Sequence, residues 1–301
     1  MNAVKAEYLE GVRVSSAAAD DACSVEYRQE FINTELLLSV LEELGRPVKK
    51  DDMVLDFGCG EGRMVYAFRK LGYKAFGTDI ALPSPEVQVL FEREGLSENE
   101  ENLLPMITSG NYRIPYDDDT FDFVISWEVM EHVQDHEQAL SEISRVLKPY
   151  GCSLHFFPAR YHILEPHVHV PLGTLFQGSV YLYFWALMGI RTKSQERLTI
   201  REAAEENYNF LKTETKYLSK KHLTRLVCRH FGNVDFVERH FWKHNGGKSG
   251  FAYKTLSSLG LRRLTPLAAS MLSPFGHRAL FFFKPPRRHG RLTSCGSIWG
   301  S

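Results

Sequence analysis

VLDFGCGEGR, residues 54–63, places three glycines at alternate positions directly behind an apolar run, with a carboxylate two residues ahead of the first. MVLDF (53–57) reads as a short buried strand and Arg63 to Leu71 as a helix, so Gly58, Gly60 and Gly62 fall in the turn between them. Glycine lets a chain turn tightly and approach a ligand with no Cβ in the way. The helix that follows presents its first amide N–H groups to whatever sits at the turn.

Outward from this loop the chain alternates. KAFGTD (74–79), MITS (106–109), FDFVIS (121–126) and CSLHFF (152–157) read as strands, and Pro83 to Glu94 and His136 to Leu147 as helices between them. Crossovers of this kind imply a parallel sheet covered on both faces. Glu26 to Leu44 reads as a leading helix, and Tyr217 to Phe231 as a later one with Ser219 as its cap. NVDFVERHF (233–241) and HRALFFFKP (277–285) read as the last two strands. The rhythm breaks over residues 159–216, which are rich in aromatic side chains and histidine and read as an insertion over the sheet. Residues 1–24 read as a flexible lead-in, 25–285 as the domain, and 286–301 as a disordered tail.

The 301-residue chain is 44% hydrophobic and 24% charged with a formal net charge of -1, enough for a buried core and too balanced for a nucleic-acid reader. Five scattered cysteines without a CxxC pair argue for a reducing, cytoplasmic setting and against a disulfide framework or zinc knuckle. The N-terminal MNAVKAEYLE lacks the apolar core of a signal peptide. SVYLYFWALMGI (179–190) is too short to span a bilayer. It reads first as a buried helix, and otherwise as the wall of an acceptor pocket or an interfacial patch that would make peripheral membrane contact.

A dinucleotide loop runs G-x-G-x-x-G, whereas here Arg63 stands where the third glycine belongs. Asp56 would repel a pyrophosphate but would favour a ligand bearing an ammonium and a sulfonium. That favours S-adenosylmethionine over a nicotinamide dinucleotide. Asp79 lies 19 residues past Gly60, at the tip of the second strand, where a carboxylate can take both hydroxyls of a ribose.

VLDFGCGEGR, GTDI, IPYDDDTFDFVIS, WEVMEHV and EISRVLKPYG, taken in order, resemble the successive motifs of class I S-adenosylmethionine-dependent methyltransferases, and within these the group that includes ubiquinone and menaquinone biosynthesis enzymes. The likeness covers residues 50–158 and is specific for the cofactor, not for the acceptor. It implies that Asp56, Gly58, Gly60 and Gly62 hold the amino-acid end of the cofactor, Asp79 the ribose and Ile80 the adenine face. It also implies that Trp127 and Glu128 line the same pocket. Where such enzymes carry an acid for the adenine amine this chain has Gly110, with Asn111 beside it to supply that contact. The expected architecture is a Rossmann-like, doubly wound, mostly parallel sheet of seven strands, with the insertion after the fifth.

An acceptor hydroxyl or acidic carbon needs a base within hydrogen-bond reach. The densest histidine cluster, HILEPHVHV (162–170), opens the insertion and offers His167 and Glu165 for that task. A metal held there is the lesser alternative and is left out of the assignment; polar residues that merely support the insertion are the structural one. His132 reads as packing near the pocket floor and Asp122 as structural. The aromatic residues of the insertion suit a quinone-, polyketide-, lipid- or saccharide-type small molecule, although core packing accounts for them equally. The alternative function is a catalytically inactive scaffold or regulator that binds the same cofactor.

Overall fold

A computed structural model describes residues 27–81, 83–96, 103–107, 112–244 and 276–285. The expected lead-in and tail, and Asn111, lie outside these residues. Six strands form one sheet: β1 (Met53–Phe57), β2 (Lys74–Thr78), β3 (Phe121–Trp127), β4 (Leu147–Pro158), β5 (Asp235–Phe236) and β6 (His277–Phe283), in the order β2-β1-β3-β4-β6-β5. β1 to β4 run parallel, while β6 lies antiparallel between β4 and β5. β1 and β3 are almost wholly buried along their length, as a sheet covered on both faces requires.

Eight helices accompany the sheet among the described residues: α1 (Arg28–Glu43), α2 (Arg63–Lys70), α3 (Pro85–Arg93), α4 (His136–Val146), α5 (Ser179–Leu187), α6 (Ile200–Thr213), α7 (Lys220–His230) and α8 (Glu238–His244). α1 packs against α2 and α8, and α4 against α7, so that one core joins both helix groups to the strands. Starts are fixed by side-chain oxygens that accept otherwise unpaired amides: Ser84 from Glu86, Asp135 from Gln138 and Ser219 from His222.

Three expectations are corrected. The sheet of the described residues has six strands, not seven. Among the described residues MITS contributes one parallel bridge, Met106 to Asp79, at the outer edge of β2, with Ile107 N donating to Asp79 O at 2.7 Å. Leu103 O accepts from Gly77 N at 2.9 Å, so the described part of the segment meets the edge of β2 at separate points. NVDFVERHF yields only the two residues of β5 before α8 begins. There the Asn233 side chain takes over the pairing with Phe283, accepting its N–H at 2.9 Å and donating to its carbonyl at 2.7 Å. A buried Glu238–Arg278 pair at 2.8 Å then fixes the first turn of α8.

The helix from SVYLYFWALMGI forms, but only Leu182 and Ala186 of α5 are buried. Val180 is 83% exposed, Phe184 50% and Leu187 57%, because α5 meets α6 on one side and nothing covers the other among the described residues. α5, α6 and the loop before them form a second apolar cluster around Val168, Val170, Leu182, Ala203 and Leu211, apart from the main core. Cys59 and Cys152 are free thiols, whereas Cys228 is disulfide-bonded, which departs from the all-thiol expectation.

Candidate active site

The order β2-β1-β3-β4 reverses direction between β1 and β3, and a crevice opens beyond the carboxyl ends of adjacent strands at such a point. A cavity of about 830 Å³ lies there. Asp56 and Gly58 line it from β1 and its turn, Trp127 and Glu128 from β3, Gln29 and Asn33 from α1, and Leu164 and His169 from the segment after β4.

The glycine turn is held against β2. Thr78 O accepts from Gly58 N at 2.8 Å, and Asp79 Oδ2 accepts from Gly60 N at 2.7 Å. Asp79 Oδ1 accepts from Ala81 N at 2.9 Å, so this one carboxylate ties the loop to the tip of the second strand. Gly58 has φ +79°, and a Cβ on it would stand 2.4 Å from Val129 Cγ1. Gly60 has φ +53° with open space where its Cβ would be. The first glycine is therefore demanded by packing as well as conformation, the second by conformation and by a free approach to the backbone.

Asp56 is only 4% exposed. Burial, and secondarily the charge of Asp79, push its carboxyl up to about 7. The same burial with the same two acids lifts the Cys59 thiol far above its usual range. This wall of the cavity thus favours a cationic occupant. Gly62 caps α2 with φ +88° and packs toward Leu104. Ile80 is 71% exposed beside the loop.

β3 delivers two side chains to the rim. Trp127 lies over Phe156 at 4.3 Å between ring centres. Glu128 takes a left-handed backbone (φ +55°) and donates its N–H to Phe156 O at 2.7 Å, which turns its side chain out of the strand. Burial pulls Glu128 upward, but the His277 contact at 3.5 Å and the neighbouring His167 and His162 outweigh it and hold the carboxyl below its usual range.

The segment after β4 builds a polar cluster. Glu165 is fully buried and accepts four hydrogen bonds: from His167 N at 2.8 Å, Val168 N at 2.6 Å, Tyr217 Oη at 2.5 Å and His167 Nδ1 at 2.9 Å. Burial would raise this carboxyl, yet the donors hold it lower than usual. Burial would likewise depress His167, but the Glu165 hydrogen bond and charge leave it raised. His167 Nε2 faces His132 Nε2 at 3.2 Å, and His132 Nδ1 donates to Glu214 O at 2.7 Å. The buried Glu131 completes the group; burial pushes its carboxyl up to about 8.

Of the sequence-expected residues, Asp56, Gly58, Trp127 and Glu128 meet at the cavity, while Gly60 and Asp79 are joined to each other and are not among its lining residues. Glu165 stands beneath His167 with its oxygens taken, and the cavity wall nearest them is formed by Leu164 and His169. Asp122 accepts from Met53 N and pairs with Lys148 at 2.7 Å, a role in strand packing. Sequence reasoning passed over Glu131, Tyr217, His277, Gln29 and Asn33. Only Glu131 carried a signal, as the second acid of WEVMEHV.

A family model described as a methyltransferase domain matches residues 55–154. An uncharacterized methyltransferase of Schizosaccharomyces pombe is 37% identical over 110 residues, 35% of this chain and 39% of its own length. Norajmaline N-methyltransferase of Rauvolfia serpentina is 36% identical over 104 residues, 34% of this chain and 35% of its own. Demethylmenaquinone methyltransferase of Staphylococcus aureus is 26% identical over 210 residues, 69% of this chain and 76% of its own. The chain thus spans less than half the length of the first two. The matched residues are those that build the glycine loop, the tip of β2 and the end of β3, and the chain carries a class I S-adenosylmethionine-dependent methyltransferase domain.

Proposed function

We propose that this chain methylates a small molecule, with the cofactor in the cavity between β1 and β3 and the acceptor against the segment after β4. The observation that carries the reading is the buried, proton-hungry Asp56 on the wall of an 830 Å³ cavity at the sheet's switch point. The residues fit S-adenosylmethionine. Asp56 answers its ammonium group, the open face of Gly60 admits close approach, and Asp79 has lone pairs left for two hydroxyls beyond those given to Gly60 and Ala81. Ile80 would cover the adenine, with Asn111 at its amine, while Gly62 shapes the helix start. Trp127 and Glu128 close the other side.

Bound there, the cofactor supplies an electrophilic methyl group. What the protein adds is alignment and exclusion of water, since bringing two reactants into line is the larger part of such a barrier. Trp127 lines the cavity and lies tilted over Phe156, which in turn stacks on His277, so the two rings brace this wall. Activation of the acceptor is assigned to Glu165 and His167. Glu165 commits the Nδ1–H of His167, so Nε2, which faces His132, is the atom left with a lone pair.

The acceptor is read as a hydroxyl or acidic carbon of a quinone-, polyketide-, lipid- or saccharide-type metabolite. The aromatic content of the insertion and the quinone named in one relative support it. An N-methylating relative keeps nitrogen acceptors in view. The rival reading is a scaffold that binds the cofactor and does no chemistry. Calorimetric titration with S-adenosylhomocysteine, with NADH as control, tests the first half; labelled methyl transfer to a panel of acceptors tests the second. Absence of S-adenosylhomocysteine binding would sink the cofactor assignment. Binding without transfer to any acceptor class would favour the scaffold.

A further inference from the structure

Glu131 and His132 come from the loop after β3, and His167 from the segment after β4, 35 residues on. The ligand-capable atoms of all three lie within 4.8 Å of one another. Each imidazole has its Nδ1 proton committed, His132 to the carbonyl of Glu214 and His167 to the carboxylate of Glu165. A carbonyl can only accept, and a carboxylate already taking three other donors does the same. Both Nε2 atoms therefore present lone pairs, and they face each other at 3.2 Å.

Two facing lone pairs repel unless a cation lies between them. A proton would bridge the imidazoles but leave Glu131 unanswered. That carboxylate is 1% exposed, and among the described residues neither oxygen accepts a hydrogen bond. Its Oε1 stands 3.9 Å from His132 Nε2. Nitrogen ligands on a tetrahedral zinc, with bonds of about 2.0–2.1 Å, stand about 3.3 Å apart. The observed separation matches that spacing. Imidazoles whose far nitrogens donate to a carboxylate and a backbone carbonyl are also how metal-binding histidines are oriented.

We propose that Glu131, His132 and His167 bind one borderline divalent metal ion of the zinc type, with Glu165, Tyr217 and the Glu214 carbonyl as supports. Two imidazoles and one carboxylate leave a fourth position open, which suits an oxygen of the acceptor. A metal-held hydroxyl loses its proton to solvent more readily, so His167 activates the acceptor through the ion rather than by its own lone pair. That role rests on the methyltransferase reading; the site itself does not.

The test is metal analysis of the tag-free protein, followed by titration of the chelator-treated protein with Co(II), read by its visible absorption and by calorimetry. The expected result is one equivalent, in a four- or five-coordinate spectrum displaced by Zn(II). Glu131→Gln and His132→Ala should weaken it by more than about 100-fold, the upper end for loss of a mere supporting residue. Each variant is first shown to keep the wild-type circular dichroism and urea unfolding midpoint, which certifies its fold. If the wild type takes up no metal, or if both variants bind it as the wild type does, the proposal is overturned. S-adenosylhomocysteine binding in the chelated protein reports on the methyltransferase reading separately, so the two fail independently.

Discussion

Replacing Asp56 by Asn should change how stability and cofactor affinity depend on pH. The unfolded carboxyl ionises near 3.8 and the folded one at about 7. Between those values the unfolded chain has released the proton while the folded chain holds it, so rising pH favours unfolding. The gap of roughly three pH units amounts to about 4 kcal/mol of folding energy withheld above pH 7, at about 1.4 kcal/mol per unit. The uncharged amide of the variant has no such penalty. Urea unfolding of both proteins from about pH 5 to pH 7 isolates the effect, because the other titrating groups cancel in the difference. The wild type should lose roughly 2 kcal/mol relative to the variant over that interval. Cofactor binding carries the opposite sign. A ligand that presents an ammonium needs the ionised carboxylate, so S-adenosylhomocysteine binding should release a proton near pH 6 in the wild type and none in the variant. A stability difference that stays flat from pH 5 to pH 7 would refute the placement of a strained carboxyl at this wall.

Asp79→Ala removes the carboxylate shared by the glycine loop and the proposed ribose contact. It should weaken S-adenosylhomocysteine binding at least about 100-fold, the equivalent of roughly 3 kcal/mol, in a calorimetric titration; wild-type affinity would misplace the site. Gly58→Ala drives a Cβ to 2.4 Å from Val129 Cγ1 at a positive φ, and should cost about 1–3 kcal/mol in urea unfolding. An additional Val129→Ala substitution should recover part of that loss, and its failure to do so would contradict the contact. His167→Ala should leave S-adenosylhomocysteine affinity intact and slow turnover about 100-fold or more; unchanged turnover removes it from acceptor activation. His155, buried between Ser126 and Ser153 at 2.7 Å each, is pushed down to about 3 by burial. From about pH 6.5 downward the unfolded chain takes a proton that the folded chain refuses, so stability falls by about 1.4 kcal/mol per unit. His155→Gln should flatten that limb relative to the wild type, and parallel acid limbs would contradict it.

The residues proposed for the cofactor could be picked out along the chain because they are local. Asp56 and the glycines sit within one turn, and Asp79 ends the next strand, so spacing alone brought them together. The parallel core was legible for the same reason, through short apolar runs separated by helical periods. Elements that depend on distant partners were not. MITS has strand composition, but among the described residues it meets β2 through one bridge at Met106 and the Ile107 N–H to Asp79 O, not through one of the six strands. NVDFVERHF lost most of its expected strand because the Asn233 side chain performs the pairing. The uniformly apolar SVYLYFWALMGI gave no periodicity to say which face would be covered, and only Leu182 and Ala186 turned inward. The polar cluster was half visible: HILEPHVHV announced His167 and Glu165. Nothing local linked them to Glu131, His132 or Tyr217, which reach them only through the fold.

The second apolar cluster, around Val168, Leu182, Ala203 and Leu211, gives the segment after β4 a foundation of its own. Among the described residues its ties to the sheet domain include polar ones such as Lys216 N to Glu131 O at 2.6 Å and Tyr217 to Glu165. The match to the methyltransferase domain family ends at residue 154, just before this segment starts. The segment's buried side chains form a cluster apart from the main core that holds the strand of Asp56. If residues 159–216 hold the acceptor as proposed, they can be redrafted by mutation on a foundation separate from the main core beneath the glycine turn.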